Sequence, residues 1–127
     1  MTSELILGST GGGDKQGDFT VSNDTVSVYC GFRPTKIYVY KDMPSSSASS
    51  NWQNYGCAYF YDKNNLGDYQ YRAYTVLSGT TRVNYLNIVA CPNTTNQDCI
   101  KEITDDGFTF NADAYYGGHF YFIASAI

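Results

Sequence analysis

Between Gly107 and Ile127 two runs, Gly-Phe-Thr-Phe-Asn and Gly-His-Phe-Tyr-Phe-Ile-Ala-Ser-Ala, flank a polar link that contains glycine. Successive side chains of a strand point to opposite faces, so Phe120, Phe122, Ala124 and Ala126 share one side and Tyr121, Ile123 and Ser125 the other. This alternation constrains the chain to β structure, and the two runs are expected to close a small all-β domain as a hairpin. One face of the last run fills a core. The other, carrying Tyr121 and Ile123, has to meet something else, which suits recognition or assembly better than catalysis.

The rest of the chain repeats the pattern. Short alternating or β-branched runs recur between turn signals, and no long window keeps apolar residues at helical spacing. Strands are expected at about Glu4 to Leu7, Asp18 to Val21, Thr25 to Cys30, Thr35 to Lys41, Gly56 to Tyr61, Tyr69 to Leu77, Arg82 to Val89, Ile100 to Ile103, Phe108 to Phe110 and His119 to Ala126. The pattern argues for a sandwich or barrel, and the expected fold class is all-β, a single-domain antiparallel β-sandwich of jelly-roll-like character with little or no helix. With 127 residues, one domain is long enough to bury a core without disulfides or metals. The glycine-rich stretch from Gly8 to Gly17 reads as a linker, so residues 1–17 form an N-terminal strand and tether that can be extended or exchanged with a neighbouring subunit. The serine-rich stretch from Met43 to Asn51 reads as a surface loop that delivers the only tryptophan, Trp52.

Net charge is −4, and the eight Lys and Arg residues are scattered, so no basic stripe offers the phosphate neutralisation that nucleic-acid binding needs. No stretch approaches the roughly 20 apolar residues of a membrane span. The opening residues lack the basic and apolar regions of a signal peptide, so the chain is expected to be made in a cytoplasm, where the sequons at Asn23 and Asn93 carry little meaning.

Four cysteines, Cys30, Cys57, Cys91 and Cys99, allow three disulfide pairings. None forms Cys-x-x-Cys, and with one histidine in the chain a zinc site would need at least three of them at spacings unlike paired knuckles, so no metal is expected. Cys91 to Cys99 encloses a polar loop pinched at its neck and is the first disulfide candidate in an oxidising setting; buried thiols are the alternative.

The catalytic inventory is poor, and the chain reads as a non-enzyme without cofactors. The glycine run ending at Gly17 lacks the Gly-Lys-Ser/Thr of a phosphate loop. Asp62 and Asn64 echo a calcium loop, but Leu66 breaks the ligand ladder and Ala73 stands where a bidentate Glu is required, which leaves a hairpin turn. His119 has no nucleophile signature to partner it and reads as a polar residue at a strand edge or interface. The adjacent carboxylates Asp105 and Asp106 point in different directions.

Tyrosine leads the composition, with thirteen residues beside seven phenylalanines. It combines large contact area with a hydroxyl, and it also fits half-buried pleated surfaces. Trp52, Tyr55, Tyr59, Tyr61, Tyr69, Tyr71, Tyr74, Tyr115 and Tyr116 are interleaved with Asn51, Gln53, Asn54, Asn64, Asn65 and Gln70. Rings beside amides suit glycan stacking, and they equally suit a tyrosine-rich core and subunit interface. Alternation puts Tyr69, Tyr71 and Ala73 on one face and Gln70, Arg72 and Tyr74 on the other. Trp52, Tyr55, Tyr69, Tyr71, Tyr115 and Tyr116 are the candidate interface or ligand residues.

Two segments together resemble a family. Thr25-Val-Ser-Val-Tyr-Cys-Gly-Phe-Arg-Pro-Thr-Lys-Ile-Tyr-Val-Tyr40 reads as a strand, a Gly-Phe-x-Pro corner and a second strand. It is similar to the opening of small β-sandwich modules of tailed-bacteriophage virion proteins. Ile103-Thr-Asp-Asp-Gly-Phe-Thr-Phe110 and the terminal Gly-His-Phe-Tyr-Phe-Ile-Ala-Ser-Ala look like the closing pair of the same modules. At the corner, Pro34 fixes its own φ and pushes Arg33 toward extended backbone, so the chain turns while Phe32 folds under the sheet. Cys30 and the serine loop depart from the usual pattern. The resemblance implies a virion structural protein: a capsid decoration protein or a component of a head or tail fibre. Its partners would be other virion proteins and further copies of itself, with a trimer as one arrangement. No heptad shaft or collagen-like stalk is present, which favours a compact attached module. The alternative is a lectin-like module for host attachment that carries its sugar platform at Trp52 and the nearby tyrosines.

Overall fold

The computed structural model describes residues 14–21, 24–41, 55–78, 81–93, 99–112 and 118–126, which form nine strands and no helix. In chain order these are β1 (Asp14–Val21), β2 (Asp24–Tyr29), β3 (Lys36–Lys41), β4 (Tyr55–Asp62), β5 (Tyr69–Ser78), β6 (Thr81–Ala90), β7 (Cys99–Thr104), β8 (Gly107–Ala112) and β9 (Gly118–Ser125). They build a six-stranded sheet in the order β1-β9-β3-β4-β5-β6 and a three-stranded sheet in the order β2-β8-β7. Every pairing is antiparallel. The fold is a β-sandwich, the expected architecture. The expected strand at Glu4 to Leu7 and the serine loop lie outside the described residues.

Two expectations are corrected. The final runs are not a hairpin: β8 pairs with β2 and β7, whereas β9 pairs with β1 and β3 in the other sheet. Their phenylalanines meet across the interior instead. Phe108 stands edge-on to Phe122 with ring centroids 5.6 Å apart, and Phe110 lies 5.0 Å from Phe120. Two runs that each bury one apolar face gain more by covering one another than by lying side by side. Second, the stretch before Gly17 is not all linker. Asp14 to Gly17 belong to β1 and continue its register against β9, from Asp14 opposite Ser125 to Val21 opposite Gly118. Gly17 serves packing here, because a Cβ at this position would stand 2.9 Å from the Phe122 ring.

The core is aromatic. Phe19 stacks on Phe120 at 5.6 Å, and Tyr59 meets Phe110 edge-on at 4.8 Å, geometries that add to the area each ring removes from water. Ile37, Val39, Ile100 and Ala124 are buried beside these rings. The Gly-Phe-x-Pro segment carries the chain from β2 in one sheet to β3 in the other. Gly31 takes φ +85°, and the Cys30 and Gly31 amides both donate to the Asp106 carbonyl, at 2.7 and 3.0 Å. Phe32 packs against the core from this corner.

The sheets are also joined by one side chain. Gln70 of β5 is fully buried; its Nε2 donates to the Ile100 carbonyl at 2.7 Å and its Oε1 accepts the Ile100 amide at 2.9 Å. The amide thereby does for the edge of β7 what a neighbouring strand would do. A register shift between Ile100 and Glu102 lies at the same place.

Candidate functional site

Cross-strand register decides which side chains share the outer face of the six-stranded sheet. Ile123 lies opposite Tyr38, Tyr38 opposite Phe60, Phe60 opposite Tyr71, and Tyr71 opposite Ile88. These five residues form one row across β9, β3, β4, β5 and β6, with Gln16 of β1 continuing it. Four interstrand steps make the row about 19 Å long. Each of the five is between 36% and 57% exposed, and none is charged. A second row runs from Asp18 through Tyr121, Tyr40, Ala58 and Ala73 to Leu86. An exposed apolar patch with polar residues at its margin marks a contact surface more often than chance placement does.

The two ends of this face differ. Around β9 and β3, Tyr38 stacks on Tyr40 at 5.1 Å and Tyr40 on Tyr121 at 5.5 Å, while His119 tilts against Tyr121 at 4.9 Å. His119 Nε2 lies 2.7 Å from the Asp18 carboxylate. A shallow groove of about 320 Å³ lies here, lined by Gln16, Asp18, Tyr40, Tyr121 and Ile123 among others. The far end, at β5 and β6, presents Tyr71, Leu86 and Ile88 without ionisable neighbours in the two rows.

Of the expected interface or ligand residues, Tyr69 and Tyr71 are exposed on β5 as the alternation requires. Tyr55 opens β4, and its side chain lies outside the described residues, as do Trp52, Tyr115 and Tyr116. Tyr59 and Tyr61, also read as potential platform rings, are buried on the inner face, and Gln70 is spent on Ile100. Ile123 is expected on the outward side of its own strand, but Tyr38, Phe60 and Ile88 carry no such signal, because single strands reveal which residues alternate, while only the register aligns them into a row.

The turn from Asp62 to Asp68 uses its own acid. The Asp62 carboxylate accepts the Asn64 amide at 2.9 Å and the Asn65 side-chain amide at 2.6 Å, and Gly67 takes φ +63°. These bonds hold an Asx-type turn. Arg33 and Asp105 form an exposed ion pair at 3.1 Å beside the corner.

All four cysteines are buried thiols. Burial, with the Asp68 carboxylate adding to it, pushes the Cys91 thiol from 9.0 up to about 11; burial also raises Cys30 and the Tyr61 phenol. The Cys91 Sγ donates toward the Ile100 carbonyl at 3.9 Å. A thiol held in its neutral form is a poor nucleophile.

The site is thus a ring-bearing sheet face, uncharged along the row from Ile123 to Ile88, with a groove at the end where Asp18 meets His119. Comparison with models of known families, with curated proteins and with solved structures gives no match.

Proposed function

We propose that this chain is a non-enzymatic virion structural protein that attaches to, and is held among, other virion proteins through the outer face of its six-stranded sheet. The observation that carries this reading is the uncharged row from Ile123 to Ile88, a strip about 19 Å long of half-exposed rings and aliphatics on a chain of net charge −4. Its occupant is the apolar face of a neighbouring virion subunit. A charged partner would gain nothing from a row without charge, whereas a complementary apolar face would remove both from water. The tailed-phage assignment rests on the resemblance of the Gly-Phe-x-Pro corner and the closing runs to virion sandwich modules. On that reading the protein is made in the host cytoplasm and ends on the capsid, tail or fibre. Repetition over a particle supplies avidity, so each contact can be modest.

The test is co-sedimentation of purified chain with phage particles that lack it, followed by electron microscopy. Wild type should bind and add density; Tyr38→Ser/Phe60→Ser should bind at least tenfold more weakly while keeping its thermal stability. Equal binding by the double variant, or no particle binding by wild type, overturns the reading.

One observation favours glycan attachment as a second reading: the groove at Gln16, Asp18, Tyr40 and Tyr121 offers an amide, a carboxylate and phenol hydroxyls. It ranks second because Tyr40 and Tyr121 cover one another's faces, leaving edges rather than flat platforms for a sugar ring. Glycan-array binding by the isolated chain, lost in Asp18→Ala, would promote it.

A further inference from the structure

The two edges of the six-stranded sheet are β1 and β6, and they are built differently. β1 carries Asp14, Lys15 and Asp18 within eight residues, a density of charge that discourages strand addition. β6 runs for ten residues, Thr-Arg-Val-Asn-Tyr-Leu-Asn-Ile-Val-Ala, with one charge, at Arg82, and neither proline nor glycine. Among the described residues no strand pairs with its far side.

The ladder tells which main-chain groups are open. Cys91 donates its amide to the Asp68 carbonyl at 2.6 Å, just beyond the pair Tyr69 and Ala90. Antiparallel pairs alternate between bonded and non-bonded, so Val89 and Asn87 turn their amides and carbonyls toward β5. Arg82, Asn84, Leu86, Ile88 and Ala90 then turn theirs toward the open edge. The side chains of Leu86 and Ile88 stand on the outer face, 69% and 57% exposed. An edge about 34 Å long, flat in sequence and bordered by exposed aliphatics, is the arrangement that recruits another strand.

We infer that β6 pairs antiparallel with β6 of a second copy of this chain, joining two six-stranded sheets into one continuous sheet about a two-fold axis. The inference rests on the reading of the chain as an assembly module and names one of its partners. Charge argues for self-pairing. Outward-facing residues bond to outward-facing residues, so Leu86 opposite its own copy puts Arg82 opposite Ala90, and any register that overlaps most of the strand keeps the two Arg82 residues apart. In that register the second row, which ends at Leu86, would run on into Leu86 of the partner subunit and extend the outer face offered to a particle.

Sedimentation of the full chain, with hydrogen exchange read at single amides, tests this. Wild type should be a dimer or a higher even oligomer, and the Leu86 and Ile88 amides should exchange at least tenfold more slowly in the oligomer than on dilution to monomer. Ile88→Pro removes an outward amide without touching the bonds to β5 and should weaken association at least tenfold; Leu86→Lys is the second variant should the proline impair folding. A monomeric wild type, or fast exchange of both amides in the oligomer, overturns the inference. So does an oligomer that survives both variants but is lost in Tyr38→Ser/Phe60→Ser, or on removal of residues 1–13, since those results point to face-to-face or arm-exchange association. A monomer that still coats particles sinks only the edge pairing. An edge-paired dimer that ignores particles sinks only the virion reading.

Discussion

The two faces of the six-stranded sheet use nearly the same residue types to opposite ends. Within β9, Phe120 and Phe122 are buried while Tyr121 and Ile123 alternate with them into solvent; within β4, Tyr59 is fully buried and its neighbour Phe60 is exposed. Inside, rings interlock with Phe108 and Phe110 of the smaller sheet. Outside, rings align along the register with nothing among the described residues laid over them. Residue type therefore does not tell the buried face from the exposed one here; coverage by the three-stranded sheet does.

That contrast can be broken from either side. The largest effect should come from Phe110→Ala, which empties a fully buried site and should cost about 3 to 5 kcal/mol by denaturant unfolding, whereas Phe60→Ala should cost less than about 1 kcal/mol. Comparable losses at the two positions would show that the outer face is packed as well. Gln70→Leu should follow at about 3 kcal/mol, because it strips partners from both the amide and the carbonyl of Ile100. A loss under 1 kcal/mol in the same experiment would mean that the edge of β7 finds another partner.

Cysteine titration comes next. The Cys91 thiol is raised from 9.0 to about 11 by burial, so the native state holds its proton more tightly than the unfolded chain does. Its contribution is complete below pH 9 and is lost as pH climbs toward 11, about 2 kcal/mol over that window. Cys30 and Tyr61, raised by burial as well, act in the same direction. Thermal scans should show Tm falling between pH 9 and 11, with a shallower fall in Cys91→Ala; a flat profile would place the thiol in contact with water. The smallest effect is expected at Tyr59→Phe. The buried Tyr59 hydroxyl has no hydrogen-bond partner among the described residues, so its removal should leave stability within about 1 kcal/mol or raise it.

Much of this architecture was legible before any coordinates. Alternation located the described strands and sorted Phe120 from Tyr121 and Gln70 from Tyr71, since a period of two is written directly into the chain. Pairing was not legible. Whether the Phe108 and Phe120 runs lie side by side or face to face depends on which arrangement covers both apolar faces, a property of two segments together. Gln70 illustrates the same limit. Among tyrosines an amide reads as a ligand contact, and only the approach of β7 turns it into a bond to Ile100. The outer row stayed hidden for a related reason, as its members come from five strands with no local signature of their own.

The proposal that the outer face is a contact surface is tested most directly by hydroxyl-radical footprinting of the isolated chain and of the same chain mixed with the phage particles of the co-sedimentation test. The account predicts that Tyr38, Phe60 and Tyr71 lose most of their reactivity on binding while Tyr29, on β2 of the smaller sheet and 71% exposed, keeps its own. Unchanged labelling of the row, with protection at Tyr29 instead, would contradict it.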